Sequence, residues 1–164
     1  MKRIIILVLS IFLTNAPLFA QTTKKSVKQF FSTADSVILV SHLLTEQAYL
    51  DSNNQMHFSK LVVNNNPNYA VIKEVIYLSK LKVDTLYALL TQANNDLIIE
   101  ELACFSPHHG ILLFKDGICY YYDICFHCRN YIASKEIALA NELNNIGWNK
   151  LQSFFKQQGL KYGF

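Results

Sequence analysis

Residues 104–128 hold the residue types most able to do chemistry in this 164-residue chain. All four cysteines lie there, Cys104, Cys119, Cys125 and Cys128, together with His108, His109 and His127. Zinc takes four tetrahedral ligands, and three cysteines with one histidine are an accepted structural set. Cys125 and Cys128 have the spacing of one zinc half-site, and Cys104 with His108 or His109 could supply the other half. Soft thiolates would also suit copper(I). The same residues allow two other uses. Two of Cys104, Cys125 and Cys128 could form a structural disulfide, with Cys104 joined to Cys125 or to Cys128 as the expected pairing. Alternatively, Cys125 and Cys128 could act as a dithiol redox couple. No proline follows Pro107, so the later cis-proline of thioredoxin-like folds has no counterpart. Arg129 stands where a c-type haem motif needs histidine.

These groups must be brought together by the backbone, and the sequence names the device. Asp116-Gly117 sits between two runs rich in Ile, Leu, Phe and Tyr. An Asp-Gly pair suits a two-residue hairpin turn, which needs positive φ at both central positions. Strands are therefore expected at about 110–115 and 118–124. The turn sets the register: Lys115 opposite Ile118, Phe114 opposite Cys119, Leu112 opposite Tyr121, Gly110 opposite Asp123. One step further it sets His108 opposite Cys125. Opposed residues share a face of the sheet with Cβ atoms ~4.5–5.5 Å apart. The open end of the hairpin should then gather Cys104, His108, His109, Cys125 and Cys128. Cys119 lies six residues from Cys125 on the same strand, ~20 Å away, too far for a disulfide. It is expected to be a small buried hydrophobe.

The remaining elements follow from periodicity. Val27, Phe30, Phe31 and Ala34 make a helical face over 24–34. The run 36–40, SVILV, reads as a buried strand. Asp51-Ser52-Asn53-Asn54 and Asn64 to Asn68 are turn or loop signals. Residues 69–78 read as a strand, 83–93 as a helix and 97–105 as an extended segment. Ser134 is a candidate N-cap for a helix carrying Ile137, Ala140, Leu143 and Asn144. After Gly147 a second helix carries Trp148, Leu151, Phe154 and Phe155, with Gly159 as its stop. The fold class is α+β: a small antiparallel sheet with a central hairpin at about 110–124, packed by N-terminal, middle and C-terminal helices.

Residues 1–20 have the three parts of a cleavable secretory signal. Lys2 and Arg3 are basic, residues 4–13 are apolar apart from Ser10, and Ala20 precedes Gln21. The apolar run is short for a spanning helix, which needs roughly 20 residues. Cleavage would leave residues 21–164 as one domain and lower the formal net charge from +3 to +1. The chain is thus expected to be exported, periplasmic or extracellular, with no transmembrane segment in its mature part. No Lys/Arg cluster exceeds two in a row, so no nucleic-acid footprint is present. Ser106 near His108 and His109 lacks a nucleophile-elbow context. Glu100-Glu101 reads as a solvated pair, and no phosphate-cradling glycine loop occurs. These features weigh against an enzyme, and zinc is a candidate cofactor that the cysteines alone do not single out.

The segment resembles small exported bacterial proteins of no assigned function that share C-[FY]-x-P-x-H-[GA], a hairpin, I-C-F-x-C and a closing F-F-x-x-x-G. The matching residues are Cys104, Phe105, Pro107, His109, Gly110, Ile124, Cys125, Phe126, Cys128, Phe154, Phe155 and Gly159. The resemblance covers the C-terminal third and implies no activity. It makes His109 rather than His108 the motif histidine.

Overall fold

The computed structural model describes residues 24–45, 48–50, 52–92, 105–139 and 143–164. Cys104, the 97–104 part of the expected extended segment, and the proposed signal lie outside them. Helix α1 spans Lys24–Thr33, followed by β1 at Ser36–His42. Two short hairpins come next, β2 (Ala48–Leu50) with β3 (Met56–Phe58), and β4 (Val62–Val63) with β5 (Asn66–Pro67). Strand β6 is Ile72–Tyr77 and helix α2 is Lys80–Thr91. Then come β7 (His109–Lys115), β8 (Ile118–Cys125), β9 (Asn130–Ala133), a 3-10 turn at Lys135–Ile137, and α3 (Asn145–Gln158).

Five strands form one antiparallel sheet in the order β6-β1-β7-β8-β9. The fold is α+β with the β7–β8 hairpin inside the sheet, as expected. Asp116 and Gly117 both have positive φ, 51° and 76°, and the register runs from Lys115–Ile118 through Gly110–Asp123 as the turn demands. Asn64 and Asn65, at φ 51° and 62°, make the tight turn between β4 and β5.

The two faces of the sheet are unequal. Alternate residues Val37, Leu39, Ile111, Leu113, Tyr122 and Ile124 face the helices. Against them pack Val27 and Phe31 of α1, Val83, Leu86 and Leu90 of α2, and Trp148, Leu151, Phe154 and Phe155 of α3. The opposite face carries Ile38, Val40, Leu112 and Cys119 under Leu61. Gly110 is needed there, because a Cβ would stand 2.6 Å from Leu61 Cδ2. Cys119 is the buried hydrophobe foreseen, free of a disulfide, its thiol pushed up to about 12 by burial.

The expected helix after Ser134 is corrected. Ser134 Oγ accepts the Tyr121 N–H at 3.0 Å, and the Ser134 N–H donates to the Tyr121 carbonyl at 2.9 Å. The residue is therefore tied to the sheet just past the end of β9, and a 3-10 turn at Lys135–Ile137 stands where the helix was expected to begin, while Ala140 lies outside the described residues. The cap lies further on: Asn144 accepts the Gly147 N–H at 2.8 Å and starts α3. Gly147 does not interrupt the helix; it forms part of the first turn. Gly159 closes α3 in the left-handed region at φ 111°, as expected.

Candidate functional site

The expected site lies at the end of the sheet opposite the Asp116 turn. The β7–β8 ladder ends at His109–Ile124, one step short of the expected His108–Cys125 pair. His108 continues the backbone pairing instead, donating its N–H to Ile124 O at 3.3 Å and accepting from His42 N at 2.9 Å. Its ring Nδ1 lies 3.2 Å from the His42 carbonyl. His109 points to the helical face and is buried among Phe126, Phe155 and Phe164, with centroids 5.0, 6.1 and 4.1 Å away. The two neighbouring histidines therefore serve opposite faces.

Cys125 and Cys128 are joined to each other by a disulfide. This differs from the expected pairing of either with Cys104. The reason is local: Cys125 pairs with Asn130 in the β8–β9 ladder. Residues 126–129 must therefore reverse the chain, and the reversal sets the two cysteine Cα atoms 5.2 Å apart. Arg129 adopts φ 52° in this loop. The Cys128 N–H points at Cys125 Sγ at 3.1 Å. Both cysteines are buried, at 1% and 2% exposure. Two of the donors of the expected Cys₃His set are thus spent. Among the described residues no group of three or more His, Cys, Asp or Glu side chains is placed to hold a metal.

The structure adds a buried polar group that the cysteines had overshadowed. His42, Thr45 and Asp123 are all buried on the face away from the helices. His42 Nε2 stands 3.1 Å from Asp123 Oδ1, and Thr45 Oγ1 donates to Asp123 Oδ2 at 2.6 Å. The His42 Nδ1 atom lies 2.7 Å from the Leu43 carbonyl. Burial alone would lower the pKa of His42, but Asp123 and the nearby carbonyls outweigh it and hold it above the ordinary value. Such a pair is expensive to bury and more expensive to break.

The helical face carries a different polar row in direct register. Glu74 of β6 faces Ser41 of β1, and Ser41 faces His109 of β7. Ser41 Oγ donates to Glu74 Oε2 at 2.5 Å. Glu74 also accepts the backbone N–H groups of Lys161 and Tyr162, at 3.1 and 3.0 Å. Burial raises the Glu74 pKa, but the hydrogen bonds from Ser41, Tyr162 and Lys161 outweigh it and the net direction is down. Burial, with positive His42 behind it, pushes His109 down to about 4. Its Nε2 has no hydrogen-bond partner among the described residues. One clue to the His42–Thr45–Asp123 set was available in the sequence. Asp123 sits between Tyr122 and Ile124 in a strand whose turn-defined register puts it opposite a glycine.

The molecule belongs to the α+β class, with helices on one face of an antiparallel sheet and a CxxC bond in a hairpin loop. Compared with models of protein families, with curated proteins and with solved structures, the chain matches none. No helix of the described residues is long and apolar enough to cross a membrane.

Proposed function

We propose that the chain is an exported, non-enzymatic binding or accessory protein in which Cys125–Cys128 is a structural staple. The observation that carries this reading is the near-complete burial of both cysteines within a β-hairpin loop. Exchange requires a thiolate to reach a sulfur, so access governs it. Reactive CxxC pairs gain low thiol pKa values from a helix N-terminus or a nearby cation; here the motif is followed by a strand, Asn130–Ala133. The basic and apolar start of the chain supports export, and oxidising compartments are where such a bond persists. The zinc reading draws less support, because it needs Cys125 and Cys128 as thiolates.

The test is a thiol and metal count on protein taken from the exported fraction. The expected result is a 125–128 bond that withstands millimolar glutathione in the native state and opens after denaturation. The double variant Cys125→Ser/Cys128→Ser should fold with roughly 2 kcal/mol less stability, the chain-entropy value for so short a loop. Rapid native exchange with a potential between about −120 and −270 mV would overturn the reading in favour of a redox role. One bound metal per chain with free thiols would overturn it in favour of metal binding.

A further inference from the structure

Residues 161–164 cross the Glu74–Ser41–His109 row without joining the sheet. Two backbone N–H groups, of Lys161 and Tyr162, are held by the single carboxylate of Glu74. Phe164 lies 4.1 Å from the His109 ring and stacks on Phe126 at 5.8 Å. Lys156 Nζ covers the outer side of Phe164 at 4.7 Å. Between these anchors Gly163 runs so close that a Cβ would stand 2.7 Å from His108 Cβ, and its φ is 84°. The four residues are exposed, whereas the row they cover includes Ser41 and His109 at 0% and 1%. Phe126, Lys156 and His108, whose ring lies 6.2 Å from that of Tyr162, pack against this segment, and the titratable Glu74 and His109 lie directly beneath it.

We propose that residues 161–164 form a strap over the Glu74–Ser41–His109 row, and that acidification releases it and uncovers the row. Closure shuts His109 into an aromatic pocket where its Nε2 finds no acceptor. A protonated imidazole there would be a buried charge, which is costly. The groups facing it from each side are identified. A hydrogen bond to the Tyr162 backbone and, less strongly, Glu74 across β1 favour protonation, whereas burial, His42 behind the sheet and the adjacent His108 outweigh them. Asp123 is engaged with His42 and Thr45 on the far face. Lys156 lies beyond Phe164, and Lys161 contributes its backbone N–H.

The sign follows from where each group titrates. With residues 161–164 in place, His109 is held down from its ordinary 6.5 to about 4, and the share of that depression owed to their cover is lost when they lift. Closure therefore keeps its full advantage above about pH 6.5 and loses it progressively as pH falls toward 4. Glu74, held below its ordinary value of 4.5 in the closed form, adds a loss of the same sign at lower pH. By linkage, the full depression of His109 from 6.5 to about 4 sets a ceiling of roughly 30-fold on the change in the open-to-closed ratio at pH 5.

Amide hydrogen exchange of the full, oxidised chain tests this, with rates corrected for the intrinsic pH dependence. Protection of the Lys161 and Tyr162 amides should fall by up to roughly 30-fold between pH 7.5 and pH 5. The Leu39 amide in the centre of the sheet should keep its protection. His109→Phe, which retains a ring without a titrating group, should flatten the profile over that range. Glu74→Gln should lower protection about fivefold at pH 7.5 yet keep the fall below pH 6.5, since it weakens the clamp and removes only a small term that favours His109 protonation. The proposal is overturned by a flat wild-type profile, by the same fall in His109→Phe, or by simultaneous loss at Leu39.

Discussion

The same end of the sheet carries two buried polar sets, and they solve one problem in opposite ways. On the face away from the helices, His42 is compensated internally, by Asp123 and through it by Thr45. On the helical face, His109 has no such partner and is accommodated as a neutral ring beneath Phe164. Two imidazoles on adjacent strands, close enough to repel, are thus driven in opposite directions, one up and one down. The difference lies in what supplies the compensation. An aspartate in the middle of a sheet strand cannot leave without unfolding; a four-residue segment clamped by one carboxylate can.

The sharpest way to break this contrast is to remove the internal partner. Asp123→Ala leaves buried His42 without its counter-charge and Thr45 without its acceptor and should cost about 3–5 kcal/mol, measured by urea denaturation near pH 6. A loss below about 1 kcal/mol would mean that the pair is not the anchor described. A second experiment separates the faces by pH. Because His42 is raised, its stabilisation is complete below about pH 6.5 and disappears as pH rises through the raised value. The wild-type denaturation midpoint should therefore decline on the alkaline side, and Asp123→Asn should remove that decline while leaving the acid-side behaviour of residues 161–164 in place. The smallest effect belongs to Gly163→Ala. Positive φ and the His108 contact oppose a Cβ, so closure should weaken by about 1–2 kcal/mol, visible as faster exchange at Lys161 and Tyr162. The global midpoint should hardly move.

What could be read from the sequence tracks how local its cause is. Asp116-Gly117 dictates a hairpin register through backbone conformation alone, and that register holds from Lys115–Ile118 to Gly110–Asp123. Gly159 stops α3 for a similarly local reason. The 125–128 bond is local too, but it emerges only once β9 is known, since Asn130 pairing with Cys125 forces the reversal. Ser134 misled because its hydroxyl serves Tyr121 in the sheet rather than a helix end. His42–Asp123 and Glu74–Ser41–His109 depend on β1 pairing with β6 and β7, far apart in sequence. No turn specifies those pairings. Residues 161–164 carry no periodicity at all, and their role comes entirely from what lies beneath them. The expectation that Cys104 joins the cluster concerns a residue outside the described part of the structure.

The strand order has a consequence for how the molecule is made. Among the described residues β1 is the first strand, yet both of its neighbours come later, β6 at Ile72–Tyr77 and β7 at His109–Lys115. During synthesis Val37, Ile38, Leu39 and Val40 therefore emerge as a short apolar β-prone stretch with both edges unpaired, and non-local pairing of this kind is slow. A nascent chain must shield that stretch until residues 109–115 arrive to cover it, which makes a premature stop before His109 a recipe for self-association rather than for a smaller folded product.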